Sequence, residues 1–121
     1  MKIKVSEATN IQLNWMVAKA ERFNAEALIE LSKRVPGREP GCFLTNYCTD
    51  WSQGGPLLSQ ERISRTINHS GLWIAYWTDG YTDGDAEKLW MQCDRSELVA
   101  GLRCYVAKEL GEEVEVPDDL T

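Results

Sequence analysis

The sequence predicts an α+β fold: a small antiparallel sheet of about three to four strands packed on an N-terminal and a C-terminal helix. Three observations carry this. Apolar residues recur at helical spacing near both ends of the chain. Residues 62–77 read as two strands around a turn. Pro-Gly and Gly-Gly-Pro breaks divide these segments from one another. The 121 residues suit a single domain, 1–121. A chain of this size buries roughly two-thirds of its unfolded surface, so its core needs no disulfide or metal staples.

Ile3 and Val5 alternate with Lys2 and Lys4, the pattern of a short strand or extended arm. Thr9 and Gln12 form a capping box, and Leu13, Met16, Val17 and Ala20 follow as the apolar stripe of a helix from about Asn10 to Phe23. Trp15 lies off that stripe, suited to a core flank or to a partner. A second helix is expected over 24–35, ended by the Pro- and Gly-rich break at 35–41, with a short strand from Cys42 to Tyr47. Arg62 to Ile67 alternates as a strand. Asn68-His69-Ser70-Gly71 is a turn, and Leu72 to Trp77 is the clearest strand in the chain. On it Trp73, Ala75 and Trp77 share one face and Leu72, Ile74 and Tyr76 the other. The aliphatic face is expected to be core, leaving the indoles to line a groove. Lys88 to Cys93 is expected as the third strand. Asp94 then caps a helix striped by Leu98, Leu102, Tyr105, Val106 and Leu110, with Gly111 as its C-terminal cap. The acidic run from Glu112 to Asp119 reads as an extended, solvated tail.

With 43% hydrophobic and 26% charged residues the composition is that of a soluble globule, which argues against disorder. No apolar run approaches the roughly 20 residues that span a bilayer, and no apolar stretch follows the N-terminal lysines as in a signal peptide. A cytoplasmic protein without a membrane partner is therefore expected. The net charge of −6 opposes non-specific binding to duplex nucleic acid, whose phosphates attract basic faces. The four cysteines include no C-x-x-C pair, and His69 is the sole histidine, so no structural zinc site is expected and the thiols read as reduced. The loop Asp79 to Asp85 fits only positions 5 and 6 of a calcium loop, with Tyr81 and Trp90 where ligands are needed; Asp-Gly turns explain it as well. No nucleophile–base pair, Walker pattern or Gly-x-Ser-x-Gly is present, so neither an enzyme nor a cofactor is expected.

The segment with most chemical character is Thr49-Asp50-Trp51-Ser52-Gln53-Gly54-Gly55-Pro56. A Trp beside Gly-Gly-Pro reads as an ordered loop, able to line a pocket or to plug the end of a core. Asp50 suits a cap accepting from a backbone N–H one or two residues on. Trp51, Trp73, Trp77, Tyr76, Trp90 and Tyr105 supply stacking plates, and Arg62, Arg65 and Arg103 can meet phosphate bidentately. Gly54 and Gly55 would let backbone N–H groups approach phosphate oxygens. The candidate ligand-binding set is therefore Asp50, Trp51, Gly54, Gly55, Arg62, Arg65, Trp77, Arg103 and Tyr105. The bland alternative is that the rings fill a small core.

Met1-Lys2-Ile3-Lys4-Val5-Ser6-Glu7, Leu13-Asn14-Trp15-Met16-Val17-Ala18-Lys19, the Thr49–Pro56 segment, Arg103-Cys104-Tyr105-Val106-Ala107 and Gly111-Glu112-Glu113-Val114-Glu115-Val116-Pro117-Asp118 together resemble the NinX-like proteins of tailed bacteriophages. The resemblance touches both ends and the middle of the chain. It implies a phage accessory protein made in the cytoplasm of the infected host, and it implies no particular reaction. Small accessory phage proteins often counter host defence. The leading expectation is accordingly a non-enzymatic protein that sequesters a small nucleotide-derived ligand, such as a defence signal, as a homo-oligomer. The alternative is an acidic protein–protein inhibitor of a basic host protein, using the Glu112–Asp119 charge.

Overall fold

The computed structural model describes residues 1–22, 47–78 and 89–120. The helix expected over 24–35, the break at 35–41, the strand from Cys42 up to Tyr47 and the acidic loop 79–85 lie outside these residues. Strand β1 (Lys2–Lys4) leads through one 3-10 turn (Val5–Glu7) into helix α1 (Asn10–Ala20). Helix α2 (Trp51–Gln60), strands β2 (Ser64–Ile67), β3 (Trp73–Thr78) and β4 (Leu89–Asp94), and helix α3 (Glu97–Leu110) follow. Strand β5 (Glu113–Glu115) and a last 3-10 turn (Asp118–Leu120) close the described chain. The α+β expectation holds, with antiparallel sheets and helices near both ends.

Two sheets form. β2, β3 and β4 make a three-stranded antiparallel sheet in sequence order, and β1 pairs with β5, Ile3 standing opposite Val114. Helix α3 is the hub: it packs on all three strands of the larger sheet and on α1 and α2. The first helix thus reaches the core chiefly through α3 rather than by lying on the sheet. Gly101 makes the close approach of α2 possible, because a Cβ there would run into the Leu58 side chain.

The capping box at α1 forms as the sequence predicts: Thr9 Oγ1 accepts from Gln12 N and Gln12 Oε1 from Thr9 N. Trp15 is buried in the core, at 3% exposure. The helix is buried nearly all round, and its two buried amide side chains are bonded, whereas the buried Trp15 Nε1 has no hydrogen-bond partner among the described residues. Asn14 Oδ1 accepts from Cys48 N at 3.0 Å, and Gln12 Nε2 donates to Leu120 O at 2.9 Å. At α3 the cap is Ser96, whose Oγ accepts from Val99 N; Asp94, the expected cap, accepts instead from Ser96 N and pairs with Arg103. Gly111 caps the far end at φ 96°, as expected.

The acidic C-terminal run is not a loose tail. Glu113–Glu115 is strand β5, and Val114, Val116 and Leu120 are buried while Glu112, Glu113, Glu115 and Asp118 face outward. Val5 N donates to Glu112 O and Val116 N to Met1 O, which locks the segment to β1. Alternation within a three-residue strand is too short a signal to separate from a polar tail, which is why charge dominated the sequence reading.

Candidate binding surface

The Trp51 segment is helical, correcting the expected loop. Asp50 is its N-cap: Oδ1 accepts from Ser52 N at 2.9 Å and Oδ2 from Gln53 Nε2 at 3.1 Å. These bonds to Ser52 and Gln53 hold the Asp50 carboxyl below its ordinary range. The capping role that the sequence suggested is thus met, for a helix instead of a loop. The glycines explain the rest. A Cβ on Gly54 would press on the Tyr47 carbonyl oxygen and the Leu98 side chain, so Gly54 is where α2 comes closest to its neighbours. A Cβ on Gly55 would stand 3.1 Å from Trp51 Cε3, so Gly55 seats the indole. Gly54 N–H already donates to Asp50 O. Trp51 itself is 48% exposed and plugs no core.

The helix ends with Arg62 in the left-handed region, φ 57°, and Ile63 N donating to Leu58 O. That is a Schellman closure with arginine where glycine is usual. The Arg62 side chain is exposed. Trp51 and Arg62 therefore stand at opposite ends of α2, roughly 16 Å apart on the helical rise.

The other arginines are engaged. Arg65 Nε donates to Glu97 Oε1 at 3.0 Å and its Nη1 to Ile63 O. Arg103 straps three elements: Nη1 donates to Asp94 Oδ1 at 3.0 Å and to Cys93 O, and Nη2 to Ala8 O. A phosphate at either would have to compete with these bonds.

Trp77 and Tyr105 do come together, around a residue the sequence reading missed. Lys108 Nζ lies 4.7 Å from the Trp77 ring centroid and 6.0 Å from that of Tyr105, and bonds Glu61 Oε2 at 2.8 Å and Glu109 Oε1 at 3.0 Å. Burial opposes the charge on Lys108, but the two glutamates outweigh it and raise its pKa. Trp90 packs on Trp77 with centroids 5.2 Å apart. Tyr105 is buried, and burial followed by Glu21 raises its hydroxyl's pKa. This cluster is a packed seam between α2, α3 and the sheet.

The two faces of β3 are inverted relative to the sequence expectation. Trp73, Ala75 and Trp77 face the core, Ala75 being 0% exposed, while Tyr76 is 38% exposed and pairs across the sheet with Met91 at 55%. The physical reason is steric. Small Ala75 lets α3 approach the sheet, and the flanking indoles bury more area than Ile74 or Leu72 could. The small residue between two tryptophans was the available signal.

The open face ends in a groove of about 550 Å³ between the sheet and the β1/β5 pair. Leu72, Ile74 and Met91 supply apolar lining, and Lys4, Glu112 and Glu113 contribute charged residues. None of the nine expected ligand residues lines it. A shallower cavity of about 320 Å³ borders Trp15, Lys19 and Glu115, and it too is lined by none of them. Among the described residues no cluster of His, Cys, Asp or Glu could hold a metal ion, and no helix is long and apolar enough to cross a membrane.

The fold therefore defines a small α+β protein whose main sheet, among the described residues, is covered by helix on one face and open on the other. The protein-family model described as Bacteriophage P22, NinX matches residues 4–109, and the chain belongs to that family. The resemblance noted in the sequence is thereby shown, and with it a phage protein. No curated protein matches the chain.

Proposed function

We propose that this phage accessory protein works by binding, without turnover, in the cytoplasm of the infected host, and that it docks on a basic host protein. The observation that carries this reading is the open sheet face: Tyr76 and Met91, paired across β3 and β4, stay exposed on it, and Met91 shares a groove with Glu112 and Glu113. Among the described residues, three groups that could do chemistry have structural places. Asp50 caps a helix, and burial pushes the Cys48 and Cys104 thiols up to about 12, so neither is a thiolate at neutral pH. An apolar surface bordered by a net excess of one charge, here two carboxylates to the one ammonium of Lys4, favours a partner of the opposite sign and speeds its encounter. The test is co-purification from infected cells. A basic partner retained by the wild type and by Trp51→Ala, but lost by Glu112→Gln/Glu113→Gln, supports the reading. Loss with Trp51→Ala and retention by the glutamine variant would reject it.

A second reading keeps the small nucleotide-derived ligand. Two observations favour it: the half-exposed Trp51 indole, and Arg62 held in a left-handed conformation with its guanidinium bonded to none of the described residues. The roughly 16 Å between them would be spanned by a ligand longer than a mononucleotide, or shared across a homo-oligomer. A thermal-shift screen against nucleotides separates the readings. A ligand at 100 times its dissociation constant adds about 2.7 kcal/mol, and a shift that Trp51→Ala abolishes selects the second.

A further inference from the structure

Within the protein-docking reading, on which this inference rests, the groove has its own chemistry. Its apolar floor is Leu72 and Ile74 from β3 and its approach, and Met91 from β4, all on the open face, and Ser6, Gln92 and Cys93 border it. Glu112 and Glu113 carry two carboxylates at it, and Lys4 a single ammonium. The groove therefore carries net negative charge in a chain already at −6. A phosphate-bearing ligand would be repelled there. A second copy of this chain would bring the same acid against it. Moreover, three strands of at most six residues present roughly 300 Å², from strand spacing and rise, well short of the roughly 800 Å² per partner of a stable interface.

We propose that this groove is a docking site for an extended peptide segment of a partner, carrying an aliphatic or aromatic anchor beside a lysine or arginine. The anchor fills the space over Ile74 and Met91 and is desolvated there. The neighbouring cation meets Glu112 and Glu113. The volume of about 550 Å³ lies in the range of pockets that hold compact ligands. The anchor supplies affinity, and the carboxylates supply orientation and choice of partner.

Fluorescence anisotropy tests this with three labelled peptides in a Gly-Ser frame: one pairing leucines with lysines, one pairing leucines with glutamates, and one with lysines alone. The Leu-Lys peptide should bind at least about tenfold more tightly than either other, a difference near 1.4 kcal/mol. Met91→Lys should weaken it by a similar factor, and the milder Met91→Ala should weaken it measurably. Glu112→Gln/Glu113→Gln should also weaken it, whereas Ser59→Lys/Gln60→Lys, which raises net charge equally at exposed positions on α2, should not. Equal binding of the lysine-only peptide, or equal loss with the α2 variant, would reduce the effect to bulk charge and overturn the site. Indifference to both Met91 changes would do the same. If the site falls while Glu112→Gln/Glu113→Gln still loses the co-purified partner, the docking reading stands without the groove.

Discussion

Gly54 and Gly55 show how the same residues serve contact instead of loop flexibility. Gly54 faces the Tyr47 carbonyl, backbone that cannot swing aside as a flexible side-chain tip could, and also the tip of Leu98. Gly54→Ala should therefore cost about 1–3 kcal/mol in urea unfolding, the range for overpacking, and Gly55→Ala less, since only the exposed indole must shift. Equal costs would refute this assignment. The cysteines give a second residue-scale expectation. Cys93 is exposed while Cys48 and Cys104 are buried, so peptide mapping after brief alkylation should find Cys93 modified and the other two protected. Burial raises both thiols from 9.0 to about 12. The neutral form is the folded one, so their contribution is complete below pH 9 and is lost as pH rises toward 12. Cys104→Ala should shift alkaline unfolding to higher pH, and an unchanged midpoint would contradict the linkage.

At the scale of the element, α2 forms although Pro56 lies inside it and two glycines precede that proline. Propensity is overridden by the Asp50 cap and by burial of Leu57 and Leu58. Asp50→Ala should then lower the urea midpoint at neutral pH. The depressed Asp50 pKa gives the sign with pH. The cap's charge-dependent part is present above the unfolded value near 3.8 and lost as pH falls through the lower folded value, so wild type and variant should converge in acid. A difference that persists unchanged would point to packing instead. The capping box of α1, the Gly111 stop, the hairpin turn and the Asp50 cap were legible because each is a local rule over three to five residues. The helicity of α2 and the inward face of β3 were not, because both are decided by what α3 brings against them. The candidate site divides the same way. Trp51 and Arg62 were found from residue type, whereas Met91, Glu112 and Glu113 owe their meeting to the pairing of β1 with β5 and could not be read from spacing.

The whole molecule is closed by its ends, with β5 on β1 and Gln12 holding the Leu120 carbonyl. Removing residues 112–121 exposes the surfaces that Val114, Val116 and Leu120 cover. At about 1.5–3 kcal/mol per buried aliphatic side chain, this should unfold a domain of ordinary stability. Glu112→Gln/Glu113→Gln should leave the melting temperature nearly unchanged, because both side chains are exposed. Circular dichroism melts separate the two, and a truncation as stable as the wild type would mean that the terminal strand carries no structural load. The distinction matters for function, because deletion of the acidic run would abolish any activity through the fold and prove nothing about charge. The most direct measurement of the open-face reading is a hydrogen–deuterium exchange footprint with and without the Leu-Lys peptide at saturation. Protection in segments 72–76, 91–93 and 112–113 with none across 51–62 is the expected result. Protection confined to 51–62 would contradict it and move the binding surface back to Trp51.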